Sequence, residues 1–328
     1  MNMNKILVKN AIFIAFIFSV ITVLGQNNRQ IINLQGKWNF AIGDNMEWSK
    51  PHFNDSNWEK IKVPARWEEE GYQGYNGFAW YRISVVVPED FKNRIVYLEL
   101  GYIDDVDEIY FNGEKIGQTG SFPPQFSTAY NAFRKYVVPN SLLKLNKENS
   151  IAVRTYDAQL EGGIVRGNVR LMAGELAIQP NIDLSGTWNF SLGLNPGKTA
   201  PIVVPGQWEN QGYSNYDGFA VYSRTVEIAA SLAKQKLIFL AGRIDDDDEF
   251  FINGKFIAGT GDINRRNNTN MHLEKRNYFI PDGIIKPGKN LFELKIIDRS
   301  GEGGILEGPV GIITQDNFIR YWQSKRQN

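Results

Sequence analysis

The carboxylates of this chain include two matched sets of the residue types that glycoside hydrolysis requires. That chemistry needs two carboxyl groups flanking the scissile bond, one as acid and one as nucleophile or base. The candidates are Glu68, Asp157 and Glu161 and, further along the chain, Glu209, Asp298 and Glu302. Because the same types occur twice, we expect structural roles, such as capping a turn or pairing with Arg134 and Arg276. We therefore assign no catalytic residues.

The sequence lacks the residues that other hydrolytic mechanisms and cofactor binding require. The histidines His52 and His272 fall in non-equivalent segments, and no Gly-x-Ser-x-Gly sequence accompanies them. The chain has no cysteine and no histidine cluster for zinc. The glycines at 259 and 261 are too few for a phosphate-binding loop. We expect no cofactor apart from a structural metal ion.

Two acidic runs supply oxygen ligands of the kind that calcium prefers. They are Asp104-Asp105-Val106-Asp107-Glu108 and Asp245-Asp246-Asp247-Asp248-Glu249. Neither fits an EF-hand, because Ile109 and Phe250 stand where that loop needs glycine. The calcium candidates are Asp104, Asp105, Asp245 and Asp246. The alternative is an acidic strand entry whose carboxylates accept hydrogen bonds from turn amides.

Sugars stack on aromatic rings while polar groups bind their hydroxyls. Two segments offer this mixture of side chains. They are Trp67-Glu68 with Tyr72 and Tyr75, and Trp208-Glu209 with Tyr213 and Tyr216. The alternative is that these aromatics pack the core, since a fold that occurs twice needs the same packing twice.

Two loops that differ between the matched segments are further recognition candidates. The stretch Ser121-Phe122-Pro123-Pro124-Gln125-Phe126 is aromatic and stiff. Its counterpart, residues 262–270, carries Arg265, Arg266 and several asparagines, which suits an acidic or heavily hydroxylated glycan.

The chain contains an internal repeat. Leu34-Gln35-Gly36-Lys37-Trp38-Asn39-Phe40 recurs as Leu184-Ser185-Gly186-Thr187-Trp188-Asn189-Phe190. Aligned without gaps, residues 64–120 match residues 205–261 at 22 of 57 positions. Such agreement excludes chance and predicts two copies of one module. We place the first domain at residues 26–175, the second at 176–314 and a tail at 315–328.

The local patterns predict strands throughout both copies. Asn112-Gly113 and Asn253-Gly254 each lie between two short apolar runs, which is typical of a tight hairpin. Further strands are expected at 79–87, 94–100 and 150–156, and no long segment keeps a helical period. The predicted fold class is all-β, with two tandem antiparallel β-sandwich domains of jelly-roll type. The tail can form a short helix with one apolar face.

The N-terminal sequence predicts that the protein is exported from the cytoplasm. Lys5 and Lys9 precede an apolar run at 11–24 that ends at Gly25, which is typical of a signal peptide covering residues 1–25. A signal anchor is the alternative, although the run is short for a membrane span. We expect a periplasmic or extracellular protein with no membrane span after signal removal. Lysine plus arginine balance aspartate plus glutamate at 36 each, so we expect no nucleic-acid partner.

The ordered motifs resemble a known family. Gly77-Phe78-Ala79-Trp80-Tyr81-Arg82, Ile103-Asp104-Asp105, Asn112-Gly113, Arg134-Lys135-Tyr136 and Asp157 with Gly162-Gly163 are similar to the sugar-binding, galactose-binding-like jelly-roll domain of glycoside hydrolase family 2. They are closer still to the accessory domain of sialate O-acetylesterases. In both families this domain is an accessory, and a separate domain performs the chemistry. The second copy departs from the pattern at Val221 and Ser223.

These observations predict a secreted carbohydrate-binding protein that takes part in glycan recognition or degradation. The alternatives are an accessory subunit or divergent member of a glycan-degrading hydrolase system, with a possible hydrolase partner chain, and a structural or sensory interaction module. The candidate carbohydrate-binding residues are Trp67, Glu68, Tyr75, Phe122, Arg134, Asp157, Trp208, Glu209, Tyr216, Arg276 and Asp298.

Overall fold

The computed structural model describes residues 30–194, 197–263 and 273–327. Within these ranges the regular structure is antiparallel β-sheet, apart from short 3₁₀ turns and one C-terminal α-helix. Four sheets form two sandwiches, so the all-β prediction is confirmed. The predicted signal peptide and the arginines at 265 and 266 lie outside the described residues, and the domain boundaries stay predictions.

The first sandwich pairs a six-stranded sheet, ordered β3-β2-β4-β9-β6-β7, with a sheet ordered β1-β11-β5-β10 to which β8 adds beside β5. Its strands are β1 Gln30–Asn33, β2 Gly36–Ile42, β3 Glu59–Val63, β4 Gly77–Val86, β5 Arg94–Asp104, β6 Val106–Phe111, β7 Glu114–Thr119, β8 Phe133–Val138, β9 Glu148–Asp157, β10 Gly163–Arg166 and β11 Arg170–Leu176.

The second sandwich follows the same path. Its six-stranded sheet runs β14-β13-β16-β21-β18-β19 and its other sheet runs β12-β22-β17-β20, with β15 beside β22. Its strands are β12 Ile182–Asp183, β13 Gly186–Leu192, β14 Ala200–Val204, β15 Gly206–Gln207, β16 Gly218–Ile228, β17 Leu237–Ile244, β18 Asp247–Ile252, β19 Lys255–Thr260, β20 Lys275–Ile280, β21 Gly288–Asp298 and β22 Gly304–Thr314.

The two predicted hairpins are present. Asn112 and Gly113 join β6 to β7 with φ angles of 51° and 86°, and Asn253 and Gly254 join β18 to β19 with 52° and 75°. An Asn-Gly pair tolerates positive φ at both positions, which explains why the dipeptide marks the turn. These hairpins lie at one edge of each six-stranded sheet, and each follows directly after an acidic run.

Alternating side chains fill the space between the sheets of each sandwich. Trp38, Phe40, Ile109 and Val153 lie in the first core, and the second core repeats the arrangement with residues such as Trp188. Because successive strand side chains point to opposite faces, the same strands also carry polar residues on the outer face. Each sandwich thus has its own core, and the loops at the sheet ends are left to position polar groups.

The tail forms the helix α1, Gln315–Gln327. Phe318 and Tyr321 on one of its faces pack against a small cluster that contains Ile238, Leu240 and Ile313 from the second sandwich. This is the docking expected from the apolar spacing. No helix within the described ranges has the length and apolar character needed to cross a bilayer.

Candidate functional site

Trp67 begins a 3₁₀ turn, Trp67–Glu70, between β3 and β4 and is completely buried. Its indole nitrogen donates to the hydroxyl of Tyr81 at 2.6 Å, and its ring lies against Gly162 and Gly163. A side chain at either glycine would overlap the indole, which explains the Gly-Gly pair in physical terms. A ring enclosed in this way has no face to offer a sugar, so the expectation that Trp67 stacks on a ligand is wrong.

Trp208 repeats this arrangement in the second sandwich. It is also completely buried, and a side chain at Gly303 would overlap its ring. Tyr75 and Tyr216 pack beside the two tryptophans, and each hydroxyl donates to a backbone carbonyl, of Phe78 and Phe219 respectively, at 2.7 Å. The packing alternative therefore describes these aromatics better than the sugar-binding one.

Arg134 and Arg276 are core residues. The side chain of Arg134 is 0% exposed and bonds Asp107 at 2.7 Å, and Arg276 bonds Asp248 at 2.9 Å in the same way. Both arginines therefore lack access to a ligand, which corrects their place among the candidate carbohydrate-binding residues. Asp107 and Asp248, which were not among the carboxylates suggested as partners, form the ion pairs with these arginines.

Asp157 and Asp298 cap turns, as the structural alternative expected. Oδ1 of Asp157 accepts from the amide of Gln159 at 3.1 Å, and Oδ1 of Asp298 accepts from Ser300 at 2.9 Å. Oδ2 of each is buried without a hydrogen-bond partner in the protein. Burial, reinforced by nearby carboxylates, raises the pKa of both groups to about 6.

Glu68 and Glu209 occupy matching positions but have different surroundings. Both carboxylate oxygens of Glu209 accept from the amide of Gly303 at 3.0 Å. Both oxygens of Glu68 are buried and have no hydrogen-bond partner in the protein. Burial raises the pKa of Glu209 to about 7. The two sandwiches therefore share a fold but differ in the chemistry of this position.

The acidic run of the first sandwich brings three carboxylates together. Asp104, Asp105 and Asp157 each place one oxygen within 4.8 Å of the others, the one such group in the described part of the chain. Asp105 accepts from the amide of Ala158 at 2.9 Å and from the hydroxyl of Thr128. Burial, followed by the negative charge of Asp105, raises the pKa of Asp104 to about 7.

Beside these carboxylates lies a group of aromatic rings, here called the aromatic platform: Phe78, Phe122, Phe126 and Tyr156. Phe122 stacks on Phe78 with ring centroids 5.8 Å apart and an angle of 5°, and Tyr156 contacts both Phe78 and Phe126. Phe126 is 39% exposed and the other three rings are half-buried. Of this group the sequence pointed to Phe122 as a site residue and missed Phe78 and Tyr156.

The aromatic platform and the carboxylates are carried by neighbouring residues of the same backbone segments. Ser121 and Ser127 bond each other through two backbone hydrogen bonds of 3.0 Å, which closes the loop that carries Phe122 and Phe126. The next residue, Thr128, bonds Asp105, and Tyr156 directly precedes Asp157. Ring faces and carboxylate oxygens therefore occupy one end of the first sandwich.

The corresponding end of the second sandwich has no matching platform among the described residues. Phe219 replaces Phe78, but Ile297 stands where the first sandwich has Tyr156. Most of the loop that corresponds to Ser121–Phe126, including Arg265 and Arg266, lies outside the described ranges. Within the described ranges, the platform is therefore seen in the first sandwich alone.

A groove of about 590 Å³ lies between the two sandwiches. Tyr97, Lys275 and Glu307 are among its lining residues, together with part of the segment that joins the domains. Ser141 donates to Asp183 across the junction at 2.8 Å, so the two sandwiches are in contact. None of the candidate carbohydrate-binding residues lines this groove.

Comparison with known proteins yields partial matches to glycan-degrading enzymes. The chain is 23% identical over 230 residues to a beta-glucuronidase of Formosa agariphila, a match that covers 59% of this chain and 22% of the enzyme. It is 25% identical over 177 residues to beta-galactosidase BoGH2A of Bacteroides ovatus, covering 50% of this chain and 19% of the enzyme. The relatives are glycoside hydrolases. No family model matches the chain.

The solved structures with partial similarity to the chain include those of beta-glucuronidases. A Bacteroides uniformis beta-glucuronidase covers 84% of this chain at 19% identity, with a TM-score of 0.38 over 28% of the enzyme. A calcium-binding mutant of Bacteroides uniformis beta-glucuronidase 2 is also among the matches, with a TM-score of 0.39. The chain spans about a fifth of the length of the two curated enzymes named above. Similarity to the domain of sialate O-acetylesterases stays a prediction.

Proposed function

We propose that this protein is exported and binds carbohydrate at the aromatic platform of its first sandwich, without a catalytic centre of its own. In this proposal it recognises glycans in the periplasm or outside the cell. Its partner is an oligosaccharide or glycan, and it uses no cofactor for chemistry. A structural calcium ion is the only metal that the protein would carry.

The observation that supports this proposal best is the position of Phe122. Its ring is half-buried against Phe78, so one part is held rigidly while the rest faces solvent. The guanidinium of Arg154 lies 4.3 Å from the centre of the Phe122 ring and is itself held by Asp44 and Glu108. A rigid, partly exposed ring beside an arginine and the carboxylates that hold it is a combination that can stack on a sugar and bind its hydroxyls.

The hydrogen bonds of two matched carboxylates support the non-catalytic part of the proposal. Asp157 and Asp298 each cap a turn at the same position of the two sandwiches, which is a structural role. Glu209 accepts from the amide of Gly303, whereas Glu68, at the matching position, has no hydrogen-bond partner in the protein.

An accessory chain of a glycan-degrading hydrolase system is the second candidate. The curated relatives are hydrolases, and the chain matches only a part of each. The raised pKa of Asp104, next to Asp157, also resembles the perturbed carboxyl groups of glycosidases. A structural or sensory module that binds no sugar is the third candidate.

A glycan array combined with a turnover assay separates these candidates. The purified protein is applied to neutral and acidic glycans, including β-galactosides and β-glucuronides, and is incubated with chromogenic forms of the same sugars. Binding without turnover supports the proposal. Turnover by the pure chain establishes the hydrolase, whereas a blank array with a folded protein overturns carbohydrate binding and leaves the interaction module.

A further inference from the structure

A smaller groove, here called the junction pocket, also lies where the two sandwiches meet. Its volume is about 390 Å³, a size typical of small-molecule sites, and such sites often form between domains. The first sandwich lines it with β7 and β8, and the second lines it with β15 and the 3₁₀ turn Glu209–Gln211. Its side chains include Gln118, Phe133, Lys135, Gln207, Asn210 and Glu302.

Two half-buried amide side chains of the second sandwich orient each other in this pocket. Nδ2 of Asn210 donates to Oε1 of Gln207 at 2.5 Å. This bond leaves Nε2 of Gln207 and Oδ1 of Asn210 without a hydrogen-bond partner in the described part of the chain. The pair therefore presents one free donor and one free acceptor in a fixed arrangement.

Adjacent hydroxyl groups of a sugar ring match this arrangement. A hydroxyl is both a donor and an acceptor, so one hydroxyl can accept from Nε2 of Gln207 while its neighbour donates to Oδ1 of Asn210. Because the two amides already hold each other, a ligand does not have to order them. Such preorganisation reduces the entropic cost of binding.

Phe133 supplies an aromatic ring on the side of the first sandwich. The residue is 46% exposed, and its ring packs edge-on against Tyr102 with centroids 5.7 Å apart and an angle of 73°. The guanidinium of Arg166 lies 4.3 Å from the centre of the Tyr102 ring. These contacts hold the Phe133 ring in place and leave part of it accessible. An accessible ring is a surface on which the apolar face of a sugar can stack.

The charges of the junction pocket balance. Lys135 and Glu302, one from each sandwich, are the ionised side chains among the described residues that line it. Gln118 adds a polar side chain that is already held, because its Oε1 accepts from Lys115 at 2.6 Å and its Nε2 donates to the carbonyl of Gly120 at 2.9 Å. A pocket without net charge favours a neutral ligand over an ionised one.

We propose that the junction pocket is a second carbohydrate site, which binds a neutral sugar unit, either free or within an oligosaccharide. The apolar face of the sugar stacks on Phe133, and two adjacent hydroxyls bind Gln207 and Asn210. Both sandwiches contribute side chains, so neither copy of the repeat forms this site alone. The inference does not depend on the aromatic platform, because the pocket and the platform share no residue.

NMR titration of the purified protein with cellobiose and with lactose, two neutral disaccharides, tests the proposal. The side-chain amide signals of Gln207 and Asn210, assigned from Gln207→Ala and Asn210→Ala, should shift with at least one of these sugars. Each variant should weaken binding about tenfold, measured on the remaining amide, because a hydrogen bond to the sugar is lost. Asn277→Ala, a change of an exposed amide on β20, should leave the affinity unchanged.

Two phenylalanine variants separate this site from the platform. Phe133→Ala should weaken the shifts of the pocket amides, whereas Phe122→Ala should leave them intact even if it abolishes binding at the platform. The absence of shifts at Gln207 and Asn210 with both disaccharides, in the folded protein, overturns the proposal. So does loss of these shifts in Phe122→Ala, or tighter binding of glucuronic acid than of the neutral sugars at the same amides.

Discussion

The indole ring of Trp67 lies directly against the backbone of Gly162, with no room for a side chain between them. Trp208 and Gly303 have the same relationship in the second sandwich. A tryptophan in a connecting segment thus closes the end of each core, and the Gly-Gly pair of the returning chain is the surface on which it rests.

Replacing Gly162 by alanine should therefore destabilise the protein. The added methyl group forces the indole or the backbone to move, and overpacking of this kind costs about 1–3 kcal/mol. Gly197→Ala is the control, since no atom lies within 4 Å of the methyl group that it adds. Urea unfolding measures both. Equal midpoints for the two variants would refute the packing role of Trp67.

The buried pair of Arg134 and Asp107 should be essential for stability. Asp107→Asn leaves the guanidinium buried without its counter-charge, and breaking such a pair typically costs about 3–5 kcal/mol. The control is Glu161→Gln, which breaks an exposed ion pair with Arg66 and should cost at most about 1 kcal/mol. Free energies of unfolding in urea give the comparison, and a small loss in Asp107→Asn would argue against a structural role.

Asp298 should make stability fall as the pH rises. Its pKa is about 6 in the folded protein and 3.8 in the unfolded chain, so between about pH 4 and 6 the folded state binds more protons. Stability linked to this proton is present at low pH and is lost as the pH passes through the folded pKa. Asp298→Asn removes the linkage, so the variant should gain stability relative to the wild type from pH 4 to 7.

Urea unfolding at several pH values measures this gain, with Glu227→Gln, a change at an exposed position of the same sandwich, as the control. The stability difference between Asp298→Asn and the wild type should grow with pH. A difference that stays constant, or shrinks, would show that Asp298 does not titrate as its burial requires.

The elements that depend on local chemistry could be predicted from the sequence. Asn112-Gly113 marks its hairpin because few other dipeptides tolerate two positive φ angles. The repeat likewise predicted a second module with the same strand path. Such features need no knowledge of which distant segments meet.

The site depended on distant contacts and was predicted less well. Tryptophan is a residue type that stacks on sugars. Only the three-dimensional contact with Gly162 shows that the faces of the Trp67 ring are covered. Arg134 lies on β8 and its partner Asp107 lies on β6 in the opposite sheet, so this ion pair follows only from how the two sheets pack together.

The affinity of the aromatic platform for a glycan tests the central claim most directly. Calorimetry with the strongest ligand from the array compares the wild type with Phe122→Ala and with Phe256→Ala, which removes an exposed ring from the second sandwich. We predict that Phe122→Ala weakens binding about tenfold, equivalent to about 1.4 kcal/mol, while Phe256→Ala leaves it unchanged. Unchanged affinity in Phe122→Ala, with the protein folded, would contradict carbohydrate binding at this platform.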